Sequence, residues 1–171
     1  MDEYIIFFLE KGIKKNIFHH DSSGRPFPNY NGNLSLSHSV KYTLICFTSR
    51  NLVCGLDIQK LDLNLKLKYF NQELILSEDC LKDDNRKFLI MTSFKESLGK
   101  FLGLGLMAKR NIFDISSIQF TAKKFYKVCF INFPSLIGLG FIKQDYIITI
   151  VIPKSDITKY IDSLEELKNE L

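Results

Sequence analysis

Tryptophan is absent from this 171-residue chain, so its aromatic content rests on 15 Phe and 7 Tyr, which point to an aromatic-rich interior. Cysteine pairs of the CxxC type are absent too, and no His stands near Cys46, Cys54, Cys80 or Cys129 in a zinc-like spacing. Cys46, Cys54 and Cys129 fall in apolar, strand-like segments and read as small core residues of a reduced compartment. Charge of one sign is scarce: 23 basic against 19 acidic residues leave a net charge of +4. No basic stretch carries the interleaved aromatics of a nucleic-acid platform, so nucleic acid is not an expected partner. The balance suits a polyanionic small ligand or an acidic protein surface. A long apolar run is also missing. The longest uncharged stretch, Val128 to Ile142, is broken by Asn132, Pro134, Gly138 and Gly140 and falls short of the ~18 residues a membrane span needs. Met1-Asp2-Glu3 lacks the positive flank of a secretory signal and Ile5 to Leu9 is too short for its core, so the expectation is a cytoplasmic protein without a membrane anchor.

What is present is the profile of a globular domain, with 46% hydrophobic and 25% charged residues and no low-complexity linker. Asp2 to Lys15 reads as a short helix with Ile5, Ile6, Leu9 and Ile13 on one side, and Asp21 to Gly32 as a loop. Strands follow at Asn33–Ser37, Tyr42–Thr48 and Val53–Gln59, with a turn at Ser49–Asn51. Asp83 or Asp84 can cap a helix reaching about Leu102, with Phe88, Met91, Phe94, Leu98 and Phe101 as its buried stripe. A hairpin over Ile115–Thr121 and Phe125–Phe133 turns at Lys123 and Lys124. Phe141–Ile152 reads as one further strand, and Ser155 starts a closing helix with Ile157, Ile161, Leu164 and Leu167 inward. The class is α+β, small antiparallel sheets with helices packed on them.

Three segments can carry chemistry, and each has a plain structural reading beside the functional one. Ser37-His38-Ser39 ends a strand with hydroxyls, backbone N–H groups and an imidazole, which suits phosphate oxygens; taken alone it reads first as a polar strand end with an exposed His. In Gly55-Leu56-Asp57-Ile58-Gln59 the two polar residues share one strand face. A buried acid needs a partner or a metal there, and Asp is a hard oxygen ligand of the kind Mg²⁺ prefers, but a wet edge strand fits as well. On the helix, Glu96 and Lys100 lie four apart, away from the apolar stripe, as a functional pair or an ordinary surface ion pair.

The order of these motifs resembles the phosphopantetheinyl transferase superfamily, in particular its larger surfactin-synthetase type. The matching residues are Gly24-Arg25-Pro26, Ser37-His38-Ser39, Gly55-Leu56-Asp57, then Lys95-Glu96 with Lys100, and Gly103-Leu104-Gly105-Leu106. The resemblance runs from about Tyr4 to Ile152. It implies two pseudo-symmetric lobes in a single domain over 1–171: a shortened first lobe at 1–54 and a second lobe at 55–171.

The activity it implies is transfer of the 4′-phosphopantetheine arm of coenzyme A to a serine of an acyl, peptidyl or aryl carrier protein, releasing 3′,5′-ADP. Asp57 and Glu96 match the residues that hold Mg²⁺, with Gln59 where many members have a further carboxylate. Glu96 matches the base for the carrier serine and Lys100 the residue facing the departing 3′,5′-ADP. Arg25, Ser37, His38 and Lys100 match positions that contact coenzyme A. The segment 104–113, with Leu106, Met107 and Ile112 beside Lys109 and Arg110, corresponds to the carrier-receiving surface. Thr92 stands where the family motif has Trp, and the shortened lobe leaves sheet edges that self-association would cover. A relative that binds coenzyme A or a carrier without transfer, and an unrelated interaction module, are the competing readings.

Overall fold

The computed structural model describes residues 3–11, 18–20, 26–28, 31–61, 84–104 and 110–170. Its first element corrects the expected helix at Asp2–Lys15: Ile5–Lys11 is a strand, β1. The run Ile5-Ile6-Phe7-Phe8 is β-branched and aromatic, and strands accommodate such side chains better than helices do. Its alternation is also that of a strand. Ile5, Phe7 and Leu9 pack on the core, whereas Ile6 and Phe8 are each 44% exposed.

Where a loop was expected from Asp21 to Gly32, the described residues Pro26–Pro28 form a short strand (β3) paired with Phe18–His20 (β2). Gly32–Ser39 (β4) and Tyr42–Ser49 (β5) make a hairpin that turns through Val40 at φ 43°. β1 joins the other side of β5, giving a three-stranded antiparallel sheet in the order β1-β5-β4.

The second sheet comes from the rest of the chain. Gly55–Lys60 (β6), Ile115–Phe120 (β7), Tyr126–Phe130 (β8), Leu136–Lys143 (β9) and Tyr146–Pro153 (β10) pair antiparallel in the order β6-β10-β9-β8-β7. The stretch read as one strand from Phe141 to Ile152 is therefore the inner half of a hairpin, β9 and β10. Its turn is Gln144-Asp145, with Gln144 at φ 54°. The glycine or asparagine that usually announces a two-residue hairpin loop is missing, so the turn was not legible.

Two helices complete the fold, Asp84–Leu102 (α1) and Ile157–Glu170 (α2), the latter preceded by one 3₁₀ turn at Lys154–Asp156. Among the described residues no helix is long and apolar enough to cross a membrane. α2 covers one core, in which Tyr160, Leu164 and Leu167 meet Leu56, Ile58, Ile148, Ile150 and Ile152 of the larger sheet and Leu44 and Cys46 of the smaller. α1 covers the opposite face of the larger sheet with Ile90, Met91, Phe94 and Leu98 against Val128, Ile147 and Val151. Gly138 leaves the space that the Phe94 ring fills, since a Cβ there would overlap it. The expected placement of Cys46 and Cys54 in the core holds: both are buried free thiols, and burial pushes the Cys46 thiol well above its usual pKa. Cys80 lies outside the described residues.

Candidate functional site at the junction of the sheets

β6 is an edge strand of the larger sheet, and its second edge meets β4 of the smaller one. The contact is made by side chains rather than by a backbone ladder. Ser35 and Ser39, on the same face of β4, accept the N–H groups of Leu56 and Lys60 at 2.9 and 3.0 Å. Ser37, midway between them, instead donates to Asp57 Oδ1 at 2.8 Å. Three alternate serines thus seal the edge of β6 and place one hydroxyl on its acid.

Gly55 opens the same strand for a different reason. A Cβ at this position would overlap the Ser97 carbonyl oxygen and the Phe101 amide nitrogen, so only glycine lets α1 lie this close. The close approach brings Ser93, Glu96, Ser97 and Lys100 over β6, at the i, i+3, i+4, i+7 spacing of one helical stripe. Lys100 Nζ donates to Asp57 Oδ1 at 2.9 Å and to Ser37 Oγ at 2.7 Å. Ser93 Oγ donates to Asp57 Oδ2 at 2.7 Å. Behind it, Thr149 of β10 stands directly across from Asp57 in the sheet register; its hydroxyl lies 2.9 Å from Ser93 Oγ and 2.7 Å from Ser97 Oγ.

Asp57 is 2% exposed, and its burial is offset by these donors, of which the Lys100 ammonium is the charged one. Glu96 lies against the same carboxylate. Burial first, and then the negative charge of Asp57, push the Glu96 pKa up from 4.5 to about 7, with Lys100 opposing the rise. Gln59, the next residue of β6 on the Asp57 face, has its Oε1 buried without a hydrogen-bond partner among the described residues.

These groups can be tested against the Mg²⁺ that the resemblance implies. Among the described residues no three His, Cys, Asp or Glu side chains gather into a metal-binding group. The cluster offers two carboxylates, and two residues along the same face of β6 Gln59 has a buried amide oxygen with no partner among the described residues. All are hard oxygen donors, two are anionic, and Mg²⁺ commonly takes one or two carboxylates and completes its octahedron with water and substrate phosphate. The residues fit the ion.

The expected site residues thus divide. Asp57, Glu96, Lys100 and Ser37 come together, and Gln59 follows Asp57 on the same face of β6. His38 does not join them: it follows Ser37 on the strand, points to the opposite face and is exposed. Arg25 lies outside the described residues, as do Leu106, Met107 and Lys109 of the expected carrier surface. Ile112 is partly buried against the α1 core, whereas Leu104 is 49% exposed. Glu96 and Lys100 are not an ordinary surface pair; both are only partly exposed and face the strand. Lys95, the first lysine of the matched motif, points elsewhere, and its ammonium lies 3.8 Å from Asp114. Burial lowers its pKa, and Asp114 opposes that shift.

The residues missed from sequence are Ser35, Ser93, Ser97 and Thr149. One signal for them was available: Thr149 interrupts the apolar run of β10, and Ser93 and Ser97 recur four apart beside the apolar stripe of α1. A separate cavity of about 310 Å³, lined by Glu3, Tyr4, Ile5, Leu52, Lys159 and Ser163, shares no residue with this cluster. A scan against protein-family models and a search of curated proteins each found no match to the chain.

Proposed function

We propose that the chain transfers the 4′-phosphopantetheine arm of coenzyme A to a carrier-protein serine, in a cleft between a first lobe built on the smaller sheet and a second lobe built on the larger. One observation carries the reading: Ser37, Asp57, Glu96 and Lys100, contributed by β4, β6 and α1, meet within hydrogen-bonding or ion-pair reach.

Asp57, Glu96 and Gln59 would hold Mg²⁺, which supplies charge neutralisation at the coenzyme A pyrophosphate when bound. Glu96, in contact with Asp57 and only partly exposed, is the group that would accept the proton of the carrier serine hydroxyl. The serine oxygen forms a bond to the β-phosphorus as the bond to the departing 3′,5′-ADP oxygen breaks. Lys100, held by Ser37 and Asp57, faces the negative charge that accumulates on that oxygen. Arg25 and His38 remain proposed contacts of coenzyme A, and 104–113 the proposed carrier surface.

Incubating the chain with coenzyme A, Mg²⁺ and a panel of apo-carriers tests this directly. The expected result is a mass gain of one phosphopantetheine arm, lost in Asp57→Ala and Glu96→Gln. No gain on any carrier would sink the transferase reading. A second reading, coenzyme A binding without transfer, is favoured by the neutral amide at Gln59; calorimetric binding of coenzyme A without turnover in Mg²⁺ would establish it. The proposed self-association would use the edge strand β1, on which Ile6 and Phe8 are exposed. A clean monomer by sedimentation would remove it.

A further inference from the structure

Three hydroxyls lie fully buried between α1 and the larger sheet: Ser93, Ser97 and Thr149 are each 0% exposed. Burying a hydroxyl is unfavourable unless it is hydrogen-bonded, so the direction of every proton in this group matters. Asp57 as a carboxylate only accepts, and therefore Ser93 commits its single proton to Oδ2 at 2.7 Å. At the 2.9 Å contact between Ser93 and Thr149, Thr149 must then be the donor. With its own proton committed, Thr149 can only accept at the 2.7 Å contact, where Ser97 donates. Ser97 Oγ donates to the Thr149 carbonyl oxygen at 3.1 Å as well, so its one proton is shared between two acceptors of the same residue. All protons run one way, from Ser97 to Thr149 to Ser93 to Asp57.

Two other donors of Asp57, Ser37 and Lys100, both act on Oδ1, and Glu96 shares a side-chain hydrogen bond with the same carboxylate. On Oδ2 the donor is the Ser93 hydroxyl at 2.7 Å. The carboxylate plane is thus pinned between β4 on one oxygen and the hydroxyl chain on the other.

From this geometry we propose that Ser93 and Thr149 are positioning residues, which fix the orientation of Asp57 for cation binding through a one-way hydroxyl relay anchored by Ser97. The proposal rests on the magnesium reading of Asp57 and Glu96. Partners that orient a ligating carboxylate typically change metal affinity about 10- to 100-fold when removed.

Metal titration of the purified full chain tests the relay without any turnover. Mn²⁺ binding is followed by electron paramagnetic resonance of the free ion, and Mg²⁺ binding by competition. Thr149→Val keeps the shape and deletes the hydroxyl; it and Ser93→Ala should each weaken binding about tenfold or more. Thr149→Ser, which restores the hydroxyl, should bind within about threefold of wild type, and Ser97→Ala should fall between. Leu164→Ala, in the core beneath α2, is the stability control: it should unfold more easily yet bind metal as wild type does. Thr149→Val and Ser93→Ala that lose stability in the manner of Leu164→Ala, with unchanged metal affinity, overturn the relay and leave the magnesium reading intact. A wild-type chain that binds neither ion overturns both. Should Thr149→Val fail to fold, Ser93→Ala and Thr149→Ser decide the matter alone.

Discussion

The β6–β10 strand pair has two faces of opposite character. On the face toward α2, Leu56, Ile58, Ile148, Ile150 and Ile152 are almost completely buried against other apolar side chains. On the face toward α1, the same two strands present Asp57, Gln59 and Thr149 between Ile147 and Val151. Backbone, register and neighbouring residues are shared, so the difference lies in the side chains alone. The apolar face gains from removing surface from water and has no directional demands. The polar face must satisfy each buried donor and acceptor individually, and the satisfied network fixes where its charges sit. Stability resides in one face and positional information in the other.

The sharpest way to break this contrast acts on both faces' support at once. In Gly55→Ala the added methyl would overlap backbone atoms of Ser97 and Phe101, which cannot rotate away as a side chain can. α1 must lift off β6, with an expected loss above about 4 kcal/mol by urea denaturation, at the top of what single substitutions do. The same shift separates Glu96 from Asp57, so metal response should vanish with it. Near-wild-type stability would show that α1 does not sit where it is described.

A change confined to the apolar face should leave the site untouched. Ile150 is 0% exposed, and Ile150→Ala should cost about 2–5 kcal/mol while leaving metal affinity unchanged. Loss of metal binding in this variant would mean that the faces are coupled through the strand, and the division drawn above would fail.

The polar face should reveal itself through pH. Glu96 has its pKa raised in the folded protein, to about 7 from 4.5. Between those values the native chain keeps a proton that the unfolded chain releases, so metal-free stability should fall as pH rises from about 4.5 to about 7 and then level off. Below 4.5 both states are protonated and this contribution is fully present. Allowing for solvent screening of a partly exposed side chain, the fall is about 2 kcal/mol. Glu96→Gln, which cannot ionise, should flatten this part of the profile, and an unchanged slope would assign the pH dependence to other groups.

How far the sequence spoke depended on what each residue asks of its surroundings. Period-2 and period-3.6 apolar patterns located β4, β5, β6, α1, β7, β8 and α2 because burial of one face dictates them. The opening strand was misread because Ile5, Ile6 and Leu9 fit a helical stripe as well as Ile5, Phe7 and Leu9 fit a strand; only pairing with β5 decides between them. Asp57, Glu96 and Lys100 were visible as chemical types at motif spacing. That they face inward was not, because α1 is buried around most of its circumference and its polar stripe looks in sequence like a solvent face. Ser93 and Thr149 stand 56 residues apart, and no local pattern announces a bond between them.

The smallest effect is the most specific to the polar face. Gln59 brings an amide oxygen that is buried and has no hydrogen-bond partner among the described residues, next to Asp57 on the strand. Gln59→Glu would put a carboxylate of nearly the same shape in its place. Without metal, three acids would then share one partly buried site with Lys100, and like-charge repulsion should lower stability slightly. With Mg²⁺ the added charge falls on the ion, and affinity should rise roughly tenfold, equivalent to about 1.4 kcal/mol. The expected signature is therefore a crossing: the variant melts below wild type in a chelator and draws level with or above it in millimolar Mg²⁺. A variant that melts lower by the same margin in both conditions would place Gln59 outside the cation site and make its orphaned oxygen a matter of packing.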